Sequence, residues 1–161
     1  MYCSFLQIYN EKLLDLLVGT NQMKPLKIRE DKINGIYVEG LTEYVVENVQ
    51  DCMDLLSLGE QNRIKRATRM NIHSSRSHSI FQCLLEYDKV DANGMIKRAK
   101  LNLGDLAGSE KLMKEESKYA LSNVEDLKLQ ADAKSHLTEL KNINLSLTTL
   151  GKVISLLAKP I

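Results

Sequence analysis

Ser79-Ile-Phe-Gln-Cys-Leu-Leu-Glu-Tyr87, Asp91-Ala-Asn-Gly94 and Lys100-Leu-Asn-Leu103 together decide how this chain folds. In the first segment Phe81, Cys83, Leu85 and Tyr87 alternate with Ile80, Gln82, Leu84 and Glu86, the period of a strand with two distinct faces. Asn93-Gly94 suits a turn that needs positive φ, so the chain doubles back and returns through Leu101 and Leu103 to Asp105. The prediction is an antiparallel hairpin.

A polar motif flanks each outer end of that hairpin. Asn71-Ile-His-Ser-Ser-Arg-Ser-His78 precedes the first strand, and Asp105-Leu-Ala-Gly-Ser-Glu110 follows the second. The outer ends of an antiparallel pair are neighbours in space, so the two motifs are expected side by side. Ser74 and Ser75 offer small hydroxyls to a metal ion or a terminal phosphate. Asp105 puts a carboxylate at a strand end, suited to magnesium through water, and Gly108 presents an N–H with no side chain to block an anion. Arg76 and Glu110 have the charges for a clasp between the two loops. Asp-x-x-Gly also occurs as an ordinary strand-to-loop turn, so it is the serine cluster that favours phosphate sensing.

Working outward, Tyr2 to Tyr9 reads as a strand broken by Asn10-Glu11-Lys12, and Leu13-Leu14-Asp-Leu16-Leu17 as a short helical turn. Leu26 to Arg29 and Ile36 to Val38, around Asn34-Gly35, predict a second hairpin. From Asn48 the period changes: Val49, Cys52, Met53 and Leu56 fall on one helical face, with Asn48 as N-cap and Asp51 in the first turn. Arg63, Lys65, Arg66 and Arg69 follow as a basic, solvated helix end. In the last third, Ser122-Asn-Val-Glu125 matches a capping box, and Ile143, Leu147, Leu150, Ile154 and Leu157 form an apolar stripe that Pro160 ends. Neither a repeat nor a low-complexity linker divides the 161 residues, so one domain is expected.

Composition narrows the function classes. A net charge of +1, 5% aromatics and no tryptophan argue against nucleic acid as a partner, and no apolar run approaches a membrane span. The start of the chain carries no signal-peptide pattern, so a reducing compartment is expected. Cys3, Cys52 and Cys83 lack metal-ligand or disulfide spacing and read as buried structural thiols. His73 and His78 share no helix face and read as hydrogen-bonding residues, and no Gly-x-Ser-x-Gly elbow supports a serine hydrolase.

Several segments, in order, resemble the kinesin motor domain. They are Phe5 to Leu17, Gly35 to Thr42, Asn71 to His78 (similar to its switch I), Asp105 to Glu110 (similar to its switch II) and Lys141 to Leu157 (similar to its long microtubule-facing helix). The resemblance implies an α/β fold with a central mixed sheet and flanking helices, belonging to the P-loop NTPases. It implies one partial motor domain over 1–161, incomplete at both ends, with switch I at 71–78, switch II at 105–110, an atypical insertion at about 111–139 and the long helix at about 140–158. By the same resemblance Ser74, Ser75 and Gly108 would address the γ-phosphate, Ser75 and Asp105 the magnesium, Asn71 the nucleotide pocket, and Arg76 with Glu110 the attacking water. Asn144 would link switch II to the track. Lys141 and Lys152 read either as contacts to acidic tubulin or as solvated lysines.

The implied function is ATP hydrolysis coupled to movement along microtubules, with ATP and Mg2+ as cofactors and a cytoplasmic, cytoskeletal location. The family's phosphate-cradling loop ends in Gly-Lys-Thr or Gly-Lys-Ser, whereas the only Gly-Lys here is Gly151-Lys152, followed by Val153. Without that loop the chain alone is expected to hold ATP and Mg2+ weakly and to be inactive. The alternative is a degenerate relative that binds tubulin or a motor partner without hydrolysis. Gly104 stands where the family usually has a β-branched residue, and the stretch from Glu110 to Asn142 is longer than the family's loop.

Overall fold

The computed structural model describes residues 1–32, 35–70, 76–90, 96–108 and 127–158, in two compact units, Met1–Leu106 and Ala107–Ile161. The first unit is a sheet in the order β2-β1-β6-β7, where β1 is Tyr2–Tyr9, β2 Lys12–Asp15, β6 His78–Val90 and β7 Ile96–Asp105. A short β5 (Tyr44–Val45) pairs with the start of β1, and β3 (Lys27–Asp31) with β4 (Gly35–Glu39) forms a separate two-stranded sheet. The α/β class holds, and every pairing among the described strands is antiparallel, where a mixed sheet was expected.

Both hairpins predicted from the sequence are present. Phe81 pairs with Leu103 and Cys83 with Leu101 across β6 and β7, and Gly35 takes φ +66° where β4 begins. The helical turn expected over Leu13 to Leu17 is not formed. Asn10 and Glu11, with φ of 49° and 61°, make a two-residue hairpin turn that lays Lys12–Asp15 beside β1 as β2. An apolar run this short fits either element by period, and here the strand buries Leu14 and its neighbours Leu16 and Leu17. Asp15 then fixes the exit from β2: one carboxylate oxygen accepts from Leu17 N and the other from Thr42 N, each at 2.8 Å.

Helix α1 (Val49–Met70) lies along one face of the sheet. Its start is capped reciprocally, as Asp51 N donates to Asn48 Oδ1 while Asp51 Oδ2 accepts from Glu47 N and Asn48 N. The expected stripe of Val49, Cys52, Met53 and Leu56 is only half right. Val49 and Met53 are exposed, and Cys52, Leu55 and Leu56 pack on the core of Cys3, Phe5, Leu16, Leu17, Val46 and Phe81. The sheet face under α1 consists of three register pairs, Cys3 with Cys83, Phe5 with Phe81 and Gln7 with Ser79. Gly59 sits directly over the Phe5 ring, which meets Phe81 edge-on at 5.5 Å between centroids. The opposite face, with Leu6, Ile8 and Ile80, joins Ile28 and Tyr37 of the small sheet around an open cavity of about 540 Å³.

The second unit contains helix α2 (Leu127–Leu157), which starts well before the expected 140. Among its described side chains Leu140 and Ile143 are the buried apolar ones, Leu147 is half-buried, and Leu150, Ile154 and Leu157 are exposed. The capping box at 122–125 and Pro160 lie outside the described residues. Among the described residues no helix is long and apolar enough to cross a membrane.

Candidate functional site

The outer ends of β6 and β7 meet as the hairpin requires, with Ser79 opposite Asp105. Beneath them lies Arg63 of α1. Its Nη1 donates to Asp105 Oδ2 at 2.8 Å and to Ser79 Oγ at 3.2 Å, and its Nη2 donates to the Ser77 carbonyl at 3.3 Å. The Arg63 side chain is 7% exposed, whereas that of Asp105 is 68% exposed, so a buried cation holds a carboxylate that faces water. One guanidinium thus ties the end of the serine motif to the start of the Asp-x-x-Gly motif.

A second clamp secures the same point from β1. Gln7 Nε2 donates to Ser77 Oγ at 2.9 Å, and Gln7 Oε1 accepts from Arg66 Nη1 at 3.0 Å. The Arg66 guanidinium also lies 5.8 Å from the centre of the Tyr9 ring, within cation–π range. Ser77 is fully buried, so the last turn of the serine motif is anchored and not merely covered. His78 follows, buried opposite Ile8. Burial pushes its imidazole below the usual value of 6.5, while the charges of Asp105 and Glu11 pull the other way.

The reading of Arg63 and Arg66 as a solvated helix end is overturned, and Lys65 is the exposed one among the described basic side chains of that stretch. The physical reason is periodicity. Cys52, Leu56, Gly59, Arg63 and Arg66 fall at steps of four, three, four and three, so both arginines continue the face that α1 turns to the sheet. That spacing was the signal available in the sequence, masked by the charge of the run.

Of the other predicted site residues, Arg76 is half-buried one residue before Ser77, and Gly108 is exposed. Asn71, Ser74, Ser75 and Glu110 lie outside the described residues, and so does the Arg76–Glu110 clasp. On α2, Lys141 and Lys152 are exposed and Asn144 is half-buried. Lys141, Leu145, Thr148 and Lys152 are all exposed at steps of four, three and four, which forms one solvent-facing stripe along the helix. Among the described residues no group of three or more His, Cys, Asp or Glu residues is arranged to hold a metal ion. The exposed carboxylate of Asp105 is a hard oxygen donor, the kind that magnesium takes directly or through water.

An antiparallel sheet covered on one face by a helix, with Ser77, Ser79 and Asp105 held by one buried arginine, defines an α/β domain, and comparison with known proteins specifies its family. The chain belongs to the kinesin motor domain family, whose model matches residues 1–160. It is 44% identical over 160 residues to Kinesin-like protein KIN-12B of Arabidopsis thaliana, covering 98% of this chain and 11% of the relative. It is 45% identical over 152 residues to Kinesin-related protein 5 of Dictyostelium discoideum, covering 94% and 14%. A solved structure of a fast kinesin, reported with implications for ATPase mechanism and interactions with microtubules, matches with a TM-score of 0.63 at 36% identity. That match covers 82% of this chain and 35% of the other. The chain thus spans a small part of the curated relatives it matches.

Proposed function

We propose that this chain forms the γ-phosphate-sensing and track-binding part of an ATP-driven microtubule motor, with the phosphate-cradling loop supplied outside these 161 residues. The observation that carries the reading is Arg63, which joins Asp105 to Ser77 and Ser79 so that the two motif-bearing loops share one rigid base. Family membership and the small share of the relatives covered support it. Bound Mg-ATP would supply the phosphoanhydride and the metal's positive charge.

The chain's own residues then have defined tasks. Asp105 would hold the metal through water with its exposed carboxylate, which the bond from Arg63 orients. By family resemblance the Gly108 N–H and the hydroxyls of Ser74 and Ser75 would serve the terminal phosphate, Asn71 the nucleotide, and Arg76 with Glu110 the attacking water. A change at either loop is transmitted to the other because both pull on the same guanidinium. Lys141 and Lys152 on the exposed stripe of α2 would meet acidic tubulin, with Asn144 linking the Asp-x-x-Gly loop to that surface, a role that goes with a cytoplasmic, cytoskeletal location. Track binding is tested by co-sedimentation with microtubules. The chain pellets with them, and Lys141→Glu with Lys152→Glu removes it from the pellet; equal pelleting of both forms would refute the assignment of these lysines.

The second reading is a relative that binds tubulin or a motor partner without hydrolysis. Phosphate release separates the two. The 161-residue chain alone releases none above background, and the protein encoded by the full transcript releases it with microtubule stimulation under the first reading only.

A further inference from the structure

Cys3, Cys52 and Cys83, dispersed in the sequence, converge at the end of the α1-covered face remote from Asp105. The Cys3 sulfur lies 3.7 Å from that of Cys83 and 3.9 Å from that of Cys52. All three are free thiols, and none belongs to the phosphate-sensing arrangement. Packing alone does not require sulfur at three touching positions, since Val or Ala fills such space without an oxidisable atom.

We propose that Cys3 and Cys83 form a peroxide-responsive thiol pair, a modification site that a hydroperoxide converts to a cross-strand disulfide. Three observations select this pair over Cys3 and Cys52. Cys3 and Cys83 are directly opposed in the β1–β6 register, and opposed residues on antiparallel strands have Cα atoms ~4.5–5.5 Å apart, inside the window a disulfide spans. Cys52 instead reaches down from a helix layered over the sheet. The Cys3–Cys83 sulfurs are also the closer pair.

The burial pattern sets the order of events. Cys3 is fully buried, and burial together with its two sulfur neighbours pushes its thiol up to about 12, so it does not meet the oxidant first. Cys83 is partly exposed. Its sulfur attacks the terminal oxygen of the hydroperoxide, the O–O bond breaks, and water (or an alcohol) leaves, giving a sulfenic acid on Cys83. The Cys3 sulfur, already in contact, then attacks the Cys83 sulfur. The S–S bond forms, the S–O bond breaks, the Cys3 proton goes to the departing oxygen and a second water is released. The net change removes two hydrogens from the pair and reduces one peroxide. The bond joins residues 80 apart in sequence and encloses the small sheet and the whole of α1 within one covalent loop.

The test treats the 161-residue chain with equimolar hydrogen peroxide, blocks remaining thiols with N-ethylmaleimide and maps the peptides by mass spectrometry. The expected result is a dithiothreitol-reversible link between the Cys3 and Cys83 peptides, with Cys52 alkylated and the thermal midpoint of the oxidised form raised. Cys52→Ser keeps the link, whereas Cys3→Ser and Cys83→Ser each abolish it. A link from Cys3 to Cys52, or full alkylation of all three thiols after peroxide, overturns the proposal. Wild-type protein alone decides between these outcomes, so a variant that misfolds does not rescue it.

Discussion

Gly59 offers a sharp test of how α1 is seated. A Cβ built on it would overlap Phe5 Cδ1, lie 2.6 Å from Cε1 and 3.2 Å from Cγ. The ring has no room to yield, because Phe5 is 3% exposed and its other flank meets Phe81 edge-on. Two effects of Gly59→Ala therefore oppose each other. Alanine in a helix interior gains ~1 kcal/mol in propensity over glycine, while overpacking a rigid core typically costs ~1–3 kcal/mol and more when the obstacle is a ring. The clash wins, and the net expected loss is about 1–2 kcal/mol. Urea unfolding followed by circular dichroism reads this as a fall of roughly 0.5–1 M in midpoint at unchanged slope. The matched control is Gly151→Ala on α2, where an added Cβ meets nothing within 4 Å, so only the propensity gain remains. A Gly59→Ala midpoint equal to or above wild type would refute the close contact between α1 and β1.

Arg63→Met removes the donors to Ser77, Ser79 and Asp105; the ion pair, whose carboxylate side faces water, contributes ~0–1 kcal/mol and the buried bonds ~1 kcal/mol each, so a loss of about 2 kcal/mol is expected in the same urea assay. Asn48→Ala unties the α1 cap and should cost about 1 kcal/mol, with faster amide exchange confined to the first turn of α1 in hydrogen-exchange measurements. His78 has a folded value below 6.5, so the unfolded chain takes up its proton first as pH falls; stability should decline from about pH 6.5 downward, and His78→Gln should flatten that part of a stability–pH profile. Asp51 adds a second step of the same sign at lower pH, because its backbone bonds from Glu47 and Asn48 hold it below 3.8 and are lost on protonation.

Much of this arrangement was legible in the residues. The β6–β7 pairing followed from strict alternation, with the expected Asn93-Gly94 turn lying outside the described residues, and the helix start followed from Asn48 and Asp51, because these signals are local. The β2 strand was missed because Leu13 to Leu17 satisfies a helical period as well as an extended one; a left-handed Asn10-Glu11 turn decided it, and neither residue announces that conformation as glycine does. The site's central residue was missed for a different reason. Arg63 sits in a run of four basic residues, and charge was weighed before phase, although its phase with Cys52 and Leu56 already placed it against the sheet. The meeting of three cysteines was beyond local reading altogether. It depends on the β1–β6 register and on the seating of α1, both long-range properties.

The strand β7 has a consequence for handling the isolated chain. It is the last strand of its sheet, pairs only with β6 among the described residues, and is exposed along all ten residues. Its first half carries Lys97, Arg98 and Lys100, charges that discourage another chain from hydrogen-bonding alongside. In the second half the four residues Leu101 to Gly104 carry no charge before Asp105 at the strand end, and Leu101 and Leu103 are each more than half exposed. Self-association of the purified chain should therefore nucleate at this half-strand and grow with salt, which weakens the repulsion of the first half without affecting the apolar attraction of the second.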